Sequence, residues 1–275
     1  MPTFTRADLA DLGAILREAA DVEILPRFRR LETADVSTKA GPHDLVTIAD
    51  QAAERLIAAR LADRFPAALM VGEESAALDP DLPARLGGSD FAITVDPIDG
   101  TFNYANGVPL FGVMAGVVIG GRIVAGAIYD PFGRDFAYAL AGGGAWFEDE
   151  SGRTRPMRVA APAELGLMHG ALSWNYLSEP QRSRVAARMP RLWGSYGYRC
   201  AAHEYRLIAS GGGHLALYGK LMPWDHVPGW LIHQEAGGYS ATADGRPYDP
   251  ARTDGSLLLA PDEASWRLVR DTLFG

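Results

Sequence analysis

The chain has 275 residues and a single cysteine, Cys200. One thiol excludes an internal disulfide framework and any cysteine-rich metal site. A chain with so little cysteine suits a reducing compartment, so a cytoplasmic location is expected. Lysine is almost as scarce, with only Lys39 and Lys220. Lys plus Arg number 26 against 34 Asp plus Glu, a net charge of −8. That balance argues against a surface that grips nucleic acid by neutralising phosphates. No long hydrophobic run is present. The most apolar stretch, residues 111–129, is broken by Arg122 and by glycines, and it reads as a β-hairpin rather than a membrane span. The first residues, MPTFTRADLADL, lack a basic region followed by an apolar run, so no signal peptide is visible. Neither HExxH nor CxxC occurs, and the six histidines share no ligand spacing. This argues against zinc.

What is present is the balance of a globular protein, 48% apolar and 22% charged. The length is about twice the ~150-residue prior for one domain. Leu9, Leu12, Ile15, Leu16 and Ala19 recur with helical spacing within residues 5–31, and Pro26 kinks or ends that helix. Thr47 opens a second helix, with Ala52, Leu56, Ile57 and Leu61 on one side and Pro66 after its end. Short β-type runs follow at residues 68–71 and 91–95, and several more fall between 111 and 147, parted by glycine-rich turns. After Ser151 the pattern changes. Apolar runs at 167–173, 214–218 and 256–259 alternate with helical segments at 179–189, 200–210, 226–236 and 262–274, which suggests an α/β layer. The expected organisation is a helix-plus-antiparallel-sheet half, residues 1–150, and an α/β half, residues 151–275. The charged segment 148–155 is the expected boundary.

Three acidic motifs stand at the ends of apolar runs, where a sheet fixes the backbone and a loop frees the side chain. They are Gly72-Glu73-Glu74-Ser75, Asp96-Pro97-Ile98-Asp99-Gly100-Thr101 and Trp224-Asp225. Each has an ordinary structural reading of its own: a solvated loop, an Asp-capped turn, and a helix N-cap at Asp225. Asp44 and Glu74 read as loop acids, Lys39 as a surface lysine, and His203 and His226 as hydrogen-bonded structural histidines. The conjunction points to different chemistry. Glu73, Asp96, Asp99 and Asp225 together would repel one another strongly without a cation. They would suit two or more Mg²⁺ ions, which take oxygen ligands and share their shell with phosphate oxygens. Gly100 permits close backbone approach, and a helical turn from Thr101 would aim N–H groups at an anion. The Thr101 hydroxyl could orient a water, and Asp50 could accept its hydrogen bond.

Lys39, the stretch from Asp44 to Asp50, and the three motifs with Asn103, followed by Glu235-Ala236-Gly237-Gly238, resemble the inositol monophosphatase family of Mg²⁺-dependent, lithium-sensitive phosphatases. The resemblance spans about residues 39–238. It implies a layered αβαβα sandwich, within the α/β class, and a homodimer. It implies metal ligation by Glu73, Asp96, the Ile98 carbonyl, Asp99 and Asp225, with Asp96 bridging two ions. Glu73, and Thr101 supported by Asp50, would activate the attacking water, and the Gly100 and Thr101 amides would hold phosphate. Lys39 would be an accessory residue. Two or three Mg²⁺ ions are implied, with Mn²⁺ as a substitute and Li⁺ as an inhibitor. Either line of reasoning leads to two-metal, in-line hydrolysis.

The substrate side departs from the inositol pattern. Tyr218 stands where inositol-specific members carry a glutamate. Arg199-Cys200-Ala201-Ala202 replaces Gly-Thr-Ala-Ala, and Phe102 replaces a second threonine. Arg199, Cys200, Ala201 and Tyr218 are therefore candidate substrate-binding residues; Arg199 either faces a second phosphate or a carboxylate or points to solvent or into a structural ion pair, and Tyr218 has the alternative of packing on an aliphatic or ring face. The expected activity is hydrolysis of a small polar phosphate ester, with no nucleic-acid polymer and no membrane as partner. Inositol 1-phosphate, histidinol phosphate, fructose 1,6-bisphosphate and 3′-phosphonucleotides are alternatives. A non-catalytic metal- and phosphate-binding regulatory protein and a structural Ca²⁺ site are rivals from other classes.

Overall fold

Thr5 and Asp8 cap each other's backbone and start α1, Arg6–Ala19, whose Leu9, Leu12 and Leu16 form a buried stripe. This computed structural model describes residues 4–39 and 41–275, so the first three residues read above for a leader lie outside it. The expected helix over 5–31 is shorter as α-helix. After Ala19 it widens into a π-helical turn, Ala20–Ile24, and tightens into a 3₁₀ turn at Leu25–Arg27. Pro26 has no N–H to continue the helical ladder.

Two short strands, β1 (Val36–Thr38) and β2 (Leu45–Thr47), pair antiparallel ahead of α2, Ile48–Arg64. Thr47 is the N-cap, as the sequence predicts, and Asp50 closes a reciprocal capping box with it. β3 (Leu69–Gly72) leads directly into α3 (Glu73–Leu78), and β4 (Phe91–Asp99) leads through Gly100 into α4 (Thr101–Ala105). β5 (Gly112–Ile119) and β6 (Arg122–Asp130) form the hairpin expected from the apolar stretch. Gly120 and Gly121 both take positive φ in its turn. β7 (Asp135–Leu140), β8 (Gly144–Glu148) and β9 (Thr154–Pro156) complete a seven-stranded sheet in chain order. β3 and β4 are parallel, and the other neighbours are antiparallel. Segment 148–155 is the β8–β9 hairpin, tightened by Asp149 accepting from the Ser151 and Arg153 amides, so the large sheet continues through it.

The second half supplies β10 (His169–Leu172), α5 (Gln181–Arg188), β11 (Gly194–Tyr196), α6 (Ala201–Ala209) and β12 (Leu215–Tyr218). It ends with α7 (Pro223–Glu235), β13 (Tyr239–Thr242), β14 (Leu257–Ala260) and α8 (Glu263–Phe274). Its strands form a five-stranded mixed sheet in the order β11-β10-β12-β14-β13.

The apolar faces dictate the stacking. Leu12, Leu16 and Ile57 of α1 and α2 pack on Ile93, Val95 and Val117 of the large sheet. The opposite face, with Met114, Val118 and Ile128, packs on Tyr205, Val227 and Leu231 of α6 and α7, which also meet Leu257 and Leu259 of the small sheet. The far face of the small sheet, Leu215, Leu217 and Leu258, packs on Val185, Trp266 and Val269 of α5 and α8. The result is an αβαβα sandwich, and each buried Leu, Val or Ile contributes ~1.5–3 kcal/mol. α7 lies close against the large sheet because two sheet positions are glycine. A Cβ at Gly116 would lie 2.4 Å from Val227, and one at Gly126 would lie 2.6 Å from the Pro228 carbonyl oxygen. Among the described residues no helix is long and apolar enough to cross a membrane.

Candidate metal and phosphate site

Glu73 is set by a carboxylate that sequence reasoning missed. Glu54, buried on α2, accepts from the Glu74 and Ser75 amides at 2.7 and 2.8 Å and from the Ser75 hydroxyl, tying the start of α3 to α2. Position 72 is glycine because a Cβ there would stand 2.5 Å from the Glu54 carboxyl carbon. The available signal was an acid on the stripe that Ile57 and Leu61 also occupy.

At the end of β4 the pairing with β5 shifts by one residue: Asp96 faces Met114, whereas Asp99 faces Gly112. Such a bulge re-aims the side chains that follow it, and Asp96 and Asp99 end on one side. Ile98 N donates to Asp96 Oδ1 at 3.0 Å. Gly100 takes the left-handed conformation, φ +92°, that lets the chain turn straight into α4. Asp225 is not the N-cap of α7. Met222 holds that position, and Asp225 sits in the first turn, where it faces the β4 acids.

Oxygens of Asp96, Asp99 and Asp225 all lie within 4.8 Å of one another. Burial raises all three carboxyl groups, and the neighbouring charges add to it. Asp96 is pushed well above the ordinary range by burial, then by Glu73, Asp99 and Asp225. Asp99 rises to about 6 through burial, although the Ala202 amide and the Cys200 thiol oppose the shift. Asp225 rises to about 8 through burial and the charges of Glu73 and Asp99. An all-oxygen, mutually repelling set of two buried carboxylates and the half-buried Asp225 fits a hard divalent cation.

Beside this cluster the Thr101 hydroxyl lies 3.0 Å from Asp50 Oδ1 and 2.9 Å from the Ile98 carbonyl. Asp50 is fully buried. Burial raises it to about 6, opposed by its hydrogen bonds from Thr47, whose amide and hydroxyl reach Asp50 Oδ2 at 2.8 and 2.5 Å. Lys39 is not a surface lysine. Its Nζ lies 2.8 Å from Glu73 Oε1 and 2.6 Å from Glu74 Oε1, with the side chain 16% exposed. Burial works against its charge, but the two glutamates outweigh it and hold the ammonium above its usual range. Glu74 is correspondingly no solvated loop acid. Burial, then the Glu73 charge, raises it to about 7.

The cluster opens into a cleft of about 380 Å³ that also takes in Gly100, Arg199, Cys200, Ala201 and Tyr218. The Cys200 thiol lies 3.2 Å from Asp99 Oδ2, and Ala202 N donates to the same oxygen. Ala201 opens α6. Arg199 has a left-handed backbone, φ +54°. Its guanidinium lies 3.5 Å from the Phe102 ring centroid and donates to the His43 carbonyl at 3.3 Å. Tyr218 is buried, its ring 5.1 Å from Tyr205 and 4.7 Å from His226. Glu204 also lines the cleft, accepts from the Tyr198 amide at 2.8 Å and is raised to about 7 by burial. His203 meets the Phe111 carbonyl, and His226 lies between the Tyr205 hydroxyl and the Lys220 carbonyl, so both are structural.

The model of the inositol monophosphatase family matches residues 8–271. The inositol-1-monophosphatase of Bacillus subtilis is 30% identical over 220 residues, 79% of each chain. The inositol-1-monophosphatase SuhB of Mycobacterium tuberculosis is 32% identical over 233 residues, 80% of this chain and 79% of that one. Among solved structures, the extragenic suppressor protein SuhB of Bartonella henselae aligns with a TM-score of 0.82 at 26% identity over 98% of both chains.

Proposed function

The chain belongs to the inositol monophosphatase family, whose members are phosphoric monoester hydrolases, and from that premise we propose that it hydrolyses a small polar phosphate ester with Mg²⁺. Asp96, Asp99 and Asp225, with Glu73 and the Ile98 carbonyl, are the groups that would hold two or three ions. Bound there, Mg²⁺ would lower the pKa of the attacking water and neutralise charge on the leaving oxygen. The chain's own residues do the remainder. The Thr101 hydroxyl donates its hydrogen bond to Asp50, which leaves an oxygen lone pair to accept a hydrogen bond from the water. Glu73 accepts the water's other hydrogen and takes that one proton as the water attacks, and Lys39 fixes the Glu73 carboxylate in place. The first amides of α4 have no intrahelical acceptor, so Gly100 and Thr101 can hold phosphate oxygens close to the metal carboxylates.

The observation that carries this reading is the 4.8 Å convergence of three carboxylates, Asp96 and Asp99 buried and Asp225 half-buried, beside the Thr101–Asp50 pair. Ion binding alone would need no water-orienting hydroxyl. The test is phosphate release at several Mg²⁺ concentrations. The panel is inositol 1-phosphate, histidinol phosphate, fructose 1,6-bisphosphate, 3′-phosphoadenosine 5′-phosphate and glycerol 2-phosphate, with Asp96→Asn as control. Mg²⁺-dependent release that Mn²⁺ sustains, Li⁺ inhibits and the variant abolishes supports it. Tight calorimetric binding with no release from any ester would mark a non-catalytic binder instead. The proposal includes a cytoplasmic homodimer, carried over from the family resemblance and checked by sedimentation.

A further inference from the structure

We infer that the substrate carries, besides the phosphate to be removed, a second anionic group, phosphate or carboxylate, which the Arg199 guanidinium receives while stacked on Phe102. The inference rests on the phosphatase reading of the site. Phe102 directly follows Thr101, and Arg199 directly precedes Cys200, whose thiol touches Asp99. The stacked pair therefore forms the cleft wall next to the reacting phosphate. The guanidinium has five N–H donors. Its polar contact is one backbone carbonyl at 3.3 Å, and among the described residues no carboxylate is within ion-pairing distance. Its guanidinium carbon lies 3.5 Å over the Phe102 ring, and that contact reduces the freedom to be lost when an anion arrives at this exposed side chain.

The backbone points the same way. A non-glycine residue at φ +54° is strained, and such strain gathers where a side chain's position is used. Lys220, one of only two lysines, lines the same cleft and adds positive charge, whereas Lys39 is engaged by Glu73 and Glu74. At 218 a tyrosine ring packed on Tyr205 and His226 puts no carboxylate at that position, and the cleft's Glu204 is engaged by the Tyr198 amide. A two-anion ester brings a partner to the exposed Arg199 guanidinium, whereas an uncharged ring brings none.

The experiment compares Mg²⁺-loaded wild type, Arg199→Gln and Arg199→Gly on two matched pairs. These are fructose 6-phosphate with fructose 1,6-bisphosphate, and glycerol 3-phosphate with 3-phosphoglycerate. Wild type is expected to favour the two-anion member of at least one pair by about ten-fold or more in kcat/KM, the worth of one charge-assisted hydrogen bond. Both variants should erase that ratio. The pair that shows it tells a phosphate subsite from a carboxylate one. Equal loss on both members would mean that Arg199 serves the phosphate common to them and would overturn the inference. An unchanged ratio would overturn it as well. If wild type hydrolyses none of the four, the phosphatase reading is decided separately, by the five-ester panel above. Calorimetry of the same compounds then decides the subsite, which stands if two-anion preference in binding is lost in Arg199→Gln and falls if affinities within each pair are equal.

Discussion

Replacing one carboxylate of the Asp96, Asp99 and Asp225 group acts in opposite directions on activity and on metal-free stability. In the unfolded chain these acids ionise near pH 4. In the folded protein Asp99 titrates near 6 and Asp225 near 8, chiefly because both are buried. Across that window the folded state binds more protons than the unfolded state, so metal-free stability falls as pH rises from about 4 to about 8. The Tm of chelator-treated protein should decline over this range, and Mg²⁺ should restore it most at the alkaline end. A metal-free Tm that climbs with pH would contradict the assignment. Asp96→Asn should raise the metal-free Tm at pH 8 while phosphate release drops at least ~100-fold, since even partners outside the ligand set cost ~10–100-fold. Arg199→Gly relieves ~1–2 kcal/mol of left-handed backbone strain and loses a ring contact of ~0.5–1 kcal/mol. Its Tm should stay within a few degrees of wild type, as a scanning-calorimetry trace would show.

At the scale of the element, the N-terminus of α2 does two jobs through one side chain. Asp50 closes the capping box with Oδ2 and meets Thr101 with Oδ1. Thr47→Ala should lower stability by ~1–2 kcal/mol, whereas kcat should fall much further in Asp50→Asn than in Thr47→Ala. Equal losses of kcat in steady-state assays would remove Asp50 from any role beyond the cap. The start of this helix was legible because Thr47 and Asp50 have capping spacing. The acidic motifs were legible because aspartates and glycines interrupt apolar runs. Glu54 was not, since an acid within a helix looks solvent-facing until the helix's buried stripe is known. The shared environment of Lys39 and Glu74 was not either, because 35 positions separate them and only the fold brings them together. The strands β9, β11 and β13 were missed because they lack the apolar run that marks the equally short β3, β10, β12 and β14, and the order β11-β10-β12-β14-β13 is set by packing rather than by local pattern.

Over the whole molecule the proposed metal-donor set draws on elements far apart in the chain. Asp96 and Asp99 come from the large sheet and Asp225 from α7, which is clamped between the sheets. Saturating Mg²⁺ at 100 times its Kd would stabilise the fold by ~2.7 kcal/mol. Gly126→Ala puts a methyl where the Pro228 carbonyl now lies and should push α7 outward. The expected outcome is weaker Mg²⁺ binding by calorimetry, with no change at any ligand. α7 also has a consequence in time. On the ribosome the large sheet's second face, with Met114, Val118 and Ile128, is made well before the helix that covers it. From Asp130 to Glu235 the delay is on the order of 5–20 s at ~5–20 residues per second. For that interval the nascent chain has an open greasy face and an incomplete set of donors, so a stalled or truncated chain is both inactive and prone to clump.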